Sequence, residues 1–190
     1  MVALTLASPA QTRRFGRVLA RLLQPPALVT IEGDLGTGKT TLVRAILRAR
    51  GVRGAVTSPS FTLAQSYRGR QGETLHHLDL YRLSRGADVD LFAWDDYLGT
   101  DAVTFVEWPA AGSEALPAAD VRLELLHRTL RSRLARLHAS AAFEQAAAEA
   151  AVAEGIQVGG PVADGPAIAV PRGASSVSYT HLTLPTKRIV

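Results

Sequence analysis

Eight consecutive residues, Gly33-Asp34-Leu35-Gly36-Thr37-Gly38-Lys39-Thr40, form a G-x-x-x-x-G-K-[ST] pattern. Glycines at this spacing let the backbone curl until successive N–H groups point into one concavity, which suits a phosphate. A lysine closing the loop reaches the β- and γ-phosphates of a nucleotide, and the hydroxyl after it coordinates Mg²⁺. Gly33, Gly36, Thr37, Gly38, Lys39, Thr40 and Thr41 are therefore the expected phosphate-binding residues. Among 21 basic residues the only other lysine is Lys187. Hydrolysis at such a loop also needs acidic residues to complete the Mg²⁺ shell and position water. Two carboxylates each follow an apolar run, Asp79 in His77-Leu78-Asp79-Leu80 and Glu107 in Val106-Glu107-Trp108-Pro109. The C-terminal edge of an open α/β sheet, where ligands bind, puts carboxylates in that position. Lys39, Asp79 and Glu107 are thus the candidate catalytic residues, and Thr40, Asp79 and Glu107 the candidate Mg²⁺ ligands.

Such a loop needs a strand before it and a helix after it. Residues 27–31 are a short, β-branched apolar run, and 40–50 read as a helix with Leu42, Val43, Ile46 and Leu47 inward and Gly51 as its stop. Upstream, 2–6 alternate as an edge strand. Ser8-Pro9 supply the cap and first turn of a helix over 9–24, buried along Phe15, Val18, Leu19, Leu22 and Leu23 and ended by Pro25-Pro26. Downstream, 61–67 and 73–80 read as a hairpin, 88–98 as a stretch with a short helix, 102–106 as a buried strand and 112–117 as a loop. Residues 121–138 stay open. Leu123, Leu126, Leu130, Leu134 and Leu137 fit a helical stripe, but Val121, Leu123 and Leu125 followed by Leu134 and Leu137 also fit two strands.

The chain has 190 residues, 47% hydrophobic and 20% charged, enough for one α/β domain with chain to spare. It has no cysteine, which excludes disulfides, thiolate zinc sites and cysteine nucleophiles. A net charge of +4 is too mild to argue for nucleic-acid binding by itself. The first residues lack the pattern of a signal peptide, and no apolar run is long enough to span a membrane. A cytoplasmic protein with no membrane partner is expected. The functional domain is expected at 1–140. Residues 141–176 read as an Ala-rich helix without a large apolar face, then a Gly/Pro linker, and are expected to be disordered. Residues 177–190 match nothing before them and resemble translated adaptor read-through, so they stay outside the fold reasoning.

The segments GDLGTGKTT, SPSFTL, HLDLYRL and VEWP, in this order and spacing, resemble the bacterial ATPase family of tRNA threonylcarbamoyladenosine biosynthesis, TsaE (YjeE). The resemblance is collinear over residues 4–139. It implies an α/β fold: a single P-loop NTPase domain with a mixed, mostly parallel sheet, helices on both faces and a C-terminal β-hairpin. Residues 121–126 and 133–138 are then strands. It implies that 36–41 hold the phosphates, that Thr40 ligates Mg²⁺, and that Asp79 is the Walker-B-type carboxylate. Glu107 would bind Mg²⁺ or orient the attacking water. Ser58-Pro59-Ser60-Phe61-Thr62 resembles the family's switch-like loop, with Ser58 or Thr62 as candidate sensors of the γ-phosphate. Trp108 would be core with an edge on the nucleotide. Arg133 aligns with an arginine near the nucleotide, and the start of the first helix, around Thr12, would lie by the adenine.

The function so implied is that of an accessory subunit binding ATP and Mg²⁺ and docking on the TsaD–TsaB pair. That pair transfers threonylcarbamoyl to the adenosine beside the anticodon, and ATP hydrolysis would reset it between turnovers. The contact with tRNA would be indirect, through the complex. Hydrolysis would be slow alone and faster with partners. One alternative is a small P-loop nucleotide or nucleoside kinase, but the only arginine-dense segment, 122–136, reads as a hairpin rather than a lid. The other is a non-catalytic nucleotide-binding scaffold, against which Lys39, Thr40, Asp79 and Glu107 all argue. The basic cluster Arg128, Arg131, Arg133 and Arg136 is open between a solvated face and a surface for tRNA or an acidic partner.

Overall fold

The computed structural model describes residues 1–60, 62–83, 93–112 and 116–159. Strand β1 (Val2–Leu6) leads into helix α1 (Pro9–Leu22). The Ser8 hydroxyl caps α1 by accepting from Gln11 N, and Gln11 Oε1 accepts in return from Ala7 N. Strand β2 (Ala27–Glu32) then runs through the glycine loop into α2 (Lys39–Ala49). The expected hairpin is β3 (Ala64–Arg68) and β4 (Thr74–Asp79), followed by β5 (Ala102–Glu107). The remaining elements are β6 (Val121–His127), β7 (Arg133–His138), α3 (Ala141–Ala153) and β8 (Gln157–Val158). Of the stretch read as holding a short helix, residues 88–92 lie outside the described part; Trp94–Asp96 is a 3₁₀ turn, as is Pro109–Gly112.

The strands form one sheet in the order β3-β4-β5-β2-β6-β7-β1-β8. Its parallel strands are four adjacent ones, β4, β5, β2 and β6. Antiparallel pairing extends it on both sides, by β3 beyond β4 and by β7, β1 and β8 beyond β6. The mixed sheet and its late hairpin are as expected. Residues 121–138 are indeed two strands: Leu123, Leu125 and Leu137 are buried, while Leu130 sits at the turn, 95% exposed, where a helical stripe would have buried it.

Strand alternation sorts side chains onto two faces. Val29, Ile31, Leu75, Val103, Phe105 and Leu123 face a core closed by α1, α2 and α3. Gly16 lets α1 lie close to α2, since a Cβ there would stand 2.6 Å from Ala45 Cβ. Leu28, Leu78 and Val106 face the other side, where Leu80, Leu83 and Trp94 pack on them. The sheet is flanked by helices, as expected. Among the described residues all three α-helices join the first core, and short turns cover the second.

The boundary expected at residue 140 also moves. The Ser140 hydroxyl caps α3, and α3 packs against α1 with Ala147 and Ala151 fully buried and Phe143 half-buried. Glu154 pairs with Arg21 at 3.1 Å and Arg17 at 3.6 Å, and β8 adds to the sheet beside β1. Residues 141–159 thus belong to the sheet domain instead of being disordered. Alanines give little contrast between helix faces, but their small size lets the helix seat closely. Residues 160–190, with the rest of the expected linker and the tail, lie outside the described residues. No described helix is long and apolar enough to cross a membrane.

Candidate nucleotide site

The glycine loop leaves the C-terminal end of β2 and enters α2. Gly33 has no room for a side chain: at its φ of 137° a Cβ would stand 2.2 Å from the Leu125 carbonyl oxygen. Gly38, with φ of 100°, is the helix N-cap in the left-handed region, which a glycine enters without penalty. It offers no side-chain cap, so the first N–H groups of α2 remain directed at the loop. Thr37 braces the turn through Oγ1, which donates to Asp34 O at 2.8 Å.

Lys39 folds back along this loop. Its Nζ donates to Gly33 O at 2.7 Å and Asp34 O at 3.0 Å, and lies 3.8 Å from the centre of the Trp108 ring. Burial holds its ammonium below the usual lysine range, opposed by the Glu107, Asp79 and Asp34 carboxylates. Trp108 reaches this position because its backbone takes the left-handed conformation at φ 60°, uncommon for a bulky residue. Tyr81 packs on its ring at 4.9 Å between centres.

The two carboxylates meet through the sheet register. β4 and β5 are parallel with Asp79 opposite Glu107, both on the α2 side. The Thr40 hydroxyl donates to Glu107 Oε2 at 3.0 Å, and His77 Nε2 lies 2.8 Å from Glu107 Oε1. Asp79 Oδ2 accepts from Ser58 Oγ at 2.6 Å and Ser60 Oγ at 3.0 Å, and Oδ1 from Tyr81 N at 3.2 Å. A cleft of about 320 Å³ lies among these groups, lined by Gly36, Gly38, Lys39, Thr40 and Thr41 of the loop with Ser58, Ser60, Asp79, Glu107 and Trp108. Thr40, Glu107 and Asp79 present only oxygen donors, the kind Mg²⁺ takes, so the residues present fit that ion.

A second cleft, of about 490 Å³, shares Gly36, Gly38 and Thr41 and opens toward the start of α1. Ser8, Pro9, Thr12, Thr37, Arg131 and Arg133 line it. Arg133 grips the glycine loop, with Nε donating to Thr37 O and Nη2 to Gly36 O, both at 3.1 Å. The basic cluster therefore divides. Arg133 holds the loop, Arg136 pairs with Glu124 at 3.0 Å, Arg128 donates to Thr5 at 2.6 Å, and Arg131 faces the second cleft.

The expected phosphate-binding, catalytic and Mg²⁺-ligating residues, with Thr12 and Arg133, thus surround two adjoining clefts, except Gly33, which shapes the loop from below. Of the switch-like segment, Ser58 and Ser60 enter the first cleft; Thr62 is exposed and lines neither, and Phe61 lies outside the described residues. His77 was not among the expected residues. The available signal was its place two residues before Asp79, which on a strand puts both on one face.

A β-strand, a glycine loop closed by a buried lysine and a helix, set at the edge of parallel strands with two carboxylates opposite, define a P-loop NTPase fold, a fold that binds nucleotides. A crystal structure of Bacillus subtilis YdiB superposes with a TM-score of 0.65 at 24% identity, over 81% of this chain and 98% of that one. The model of the family described as threonylcarbamoyl adenosine biosynthesis protein TsaE matches residues 6–135, and the chain belongs to that family. Among its relatives, the tRNA threonylcarbamoyladenosine biosynthesis protein TsaE of Streptomyces coelicolor is 43% identical over 118 residues, 60% of this chain and 77% of that protein. The Haemophilus influenzae protein of the same name is 37% identical over 117 residues, 59% and 73% of the two chains.

Proposed function

We propose that this protein is a cytoplasmic, Mg²⁺-dependent ATPase that serves the TsaD–TsaB transferase in making threonylcarbamoyladenosine in tRNA, hydrolysing ATP to reset that pair between turnovers. The observation that carries the reading is the convergence of Lys39, Thr40, Asp79 and Glu107 on one cleft. The loop N–H groups and Lys39 take the phosphate charge, and Lys39 leaves the Gly33 and Asp34 carbonyls to do so. Thr40 and Glu107 would hold Mg²⁺, with Asp79 beside them, and the ion would supply charge neutralisation at the phosphates. Glu107 orients the attacking water. Asp79 secures Ser58 and Ser60 at the mouth of the cleft, so a γ-phosphate at that position acts directly on the loop that carries them. A partner that binds the ATP and ADP forms unequally is then driven by hydrolysis.

The test is ATP hydrolysis by the purified chain with and without TsaD and TsaB, beside reconstituted tRNA modification. The expected result is slow turnover alone and faster turnover with partners. A Glu107→Gln variant should bind ATP and lose hydrolysis by about 100-fold or more. Brisk turnover unchanged by partners, or modification that proceeds equally without this chain, would overturn the reading.

A further inference from the structure

Both oxygens of Glu107 are held, one from the loop side by Thr40 and one from inside the sheet by His77. His77 is fully buried and Glu107 is 2% exposed, so no water competes for the inner contact. A carboxylate only accepts, which puts the His77 ring proton on Nε2. Among the described residues His77 Nδ1 is buried with no hydrogen-bond partner. The position follows Leu75 on the same strand face and adjoins Phe105 across the register, where an apolar side chain would satisfy packing alone. A ring with one unsatisfied nitrogen is an expensive filler, and its other nitrogen spends its only bond on Glu107.

We propose that His77 is a positioning residue for Glu107. Its Nε2–H fixes the carboxylate so that Oε2 is turned toward Thr40 and the phosphate loop, where it meets Mg²⁺ and water. This rests on the ATPase reading given above. His77 touches neither nucleotide nor metal, and acts only through the orientation of Glu107.

The experiment compares His77→Gln, His77→Asn and His77→Leu in the full chain. Glutamine carries an N–H close to the place of Nε2; asparagine reaches only the place of Nδ1, and leucine has no donor. With TsaD and TsaB present, kcat for ATP should fall about 10–100-fold in the asparagine and leucine variants and recover most of the loss in the glutamine variant. ADP affinity without Mg²⁺ should stay within about threefold of wild type in all three, because no nucleotide contact is removed. Independently of turnover, ¹⁵N NMR of the wild-type ring should show a proton on Nε2, with its resonance shifted by Glu107→Gln. Asparagine with wild-type kcat, glutamine no better than leucine, or a ring protonated on Nδ1 alone would overturn the proposal while leaving the ATPase reading intact. A wild type that fails to hydrolyse ATP even with partners would overturn that reading and this one together. Should the leucine variant not fold, the glutamine–asparagine pair and the wild-type spectrum still decide.

Discussion

The Lys39 ammonium rests 3.8 Å from the centre of the Trp108 ring while donating to two carbonyls of its own loop. A phosphate in the cleft competes for that charge. Nucleotide binding should therefore draw Lys39 away and change Trp108 emission, read cleanly in a Trp94→Phe background. Lys39→Met should abolish the change and weaken ATP binding by about tenfold or more, the loss of one charge-assisted hydrogen bond. Titration with ATP followed by fluorescence and calorimetry checks both.

Arg133 links the β6–β7 hairpin to the phosphate loop through the Gly36 and Thr37 carbonyls. Arg133→Met should loosen the loop and lower ADP affinity by about tenfold. Arg133→Lys should restore little, because a single ammonium cannot span two carbonyls as a planar guanidinium does. Calorimetric ADP binding to the three proteins tests this.

Far from the clefts, Arg50 and Glu73 form an ion pair at 3.1 Å with both side chains buried, and Arg50 also donates to Leu23 O. Glu73→Gln strands the guanidinium and should cost about 3 kcal/mol or more. That corresponds to a fall in Tm of roughly 10 °C for a domain of this size. The double change Arg50→Met with Glu73→Leu should recover much of the loss. Thermal unfolding of the two variants beside wild type checks it.

Burial holds the His76 imidazole below its usual pKa, only partly opposed by Asp101, while its Nδ1 meets Ser66 Oγ at 2.8 Å. The unfolded chain then binds a proton more readily than the folded one as pH drops below about 6.5. His76 accordingly supports the fold fully above that pH, and the support is lost on acidification toward the lowered value. Tm measured from pH 8 to pH 5 should fall less steeply in His76→Gln than in wild type.

The phosphate loop was legible in the sequence because its chemistry is contiguous: strand, glycines, lysine and helix follow one another, and each needs only its neighbours. The hairpin at β3–β4 was legible for the same reason. Asp79 and Glu107 could be named as strand-end carboxylates, but not as neighbours, since only the parallel register of β4 and β5 sets them side by side. The grip of His77 on Glu107 and of Arg133 on the loop crosses between elements distant in the chain, and no local spacing encodes it. The leucines of 121–138 left helix and strands open because leucines in two strands with a turn can match a helical period; the two strands that the resemblance implied are the ones found, and the exposure of Leu130 at their turn is the physical sign. The sequence pattern of α3 shows a helix but not where it packs, because alanine marks no face; its seat against α1, with β8 added beside β1, is visible only in the structure. Local chemistry was thus determined by the sequence itself. Which carboxylate, ring and guanidinium meet was decided by the tertiary structure, because those contacts depend on strand register and helix seating that cooperative packing alone settles.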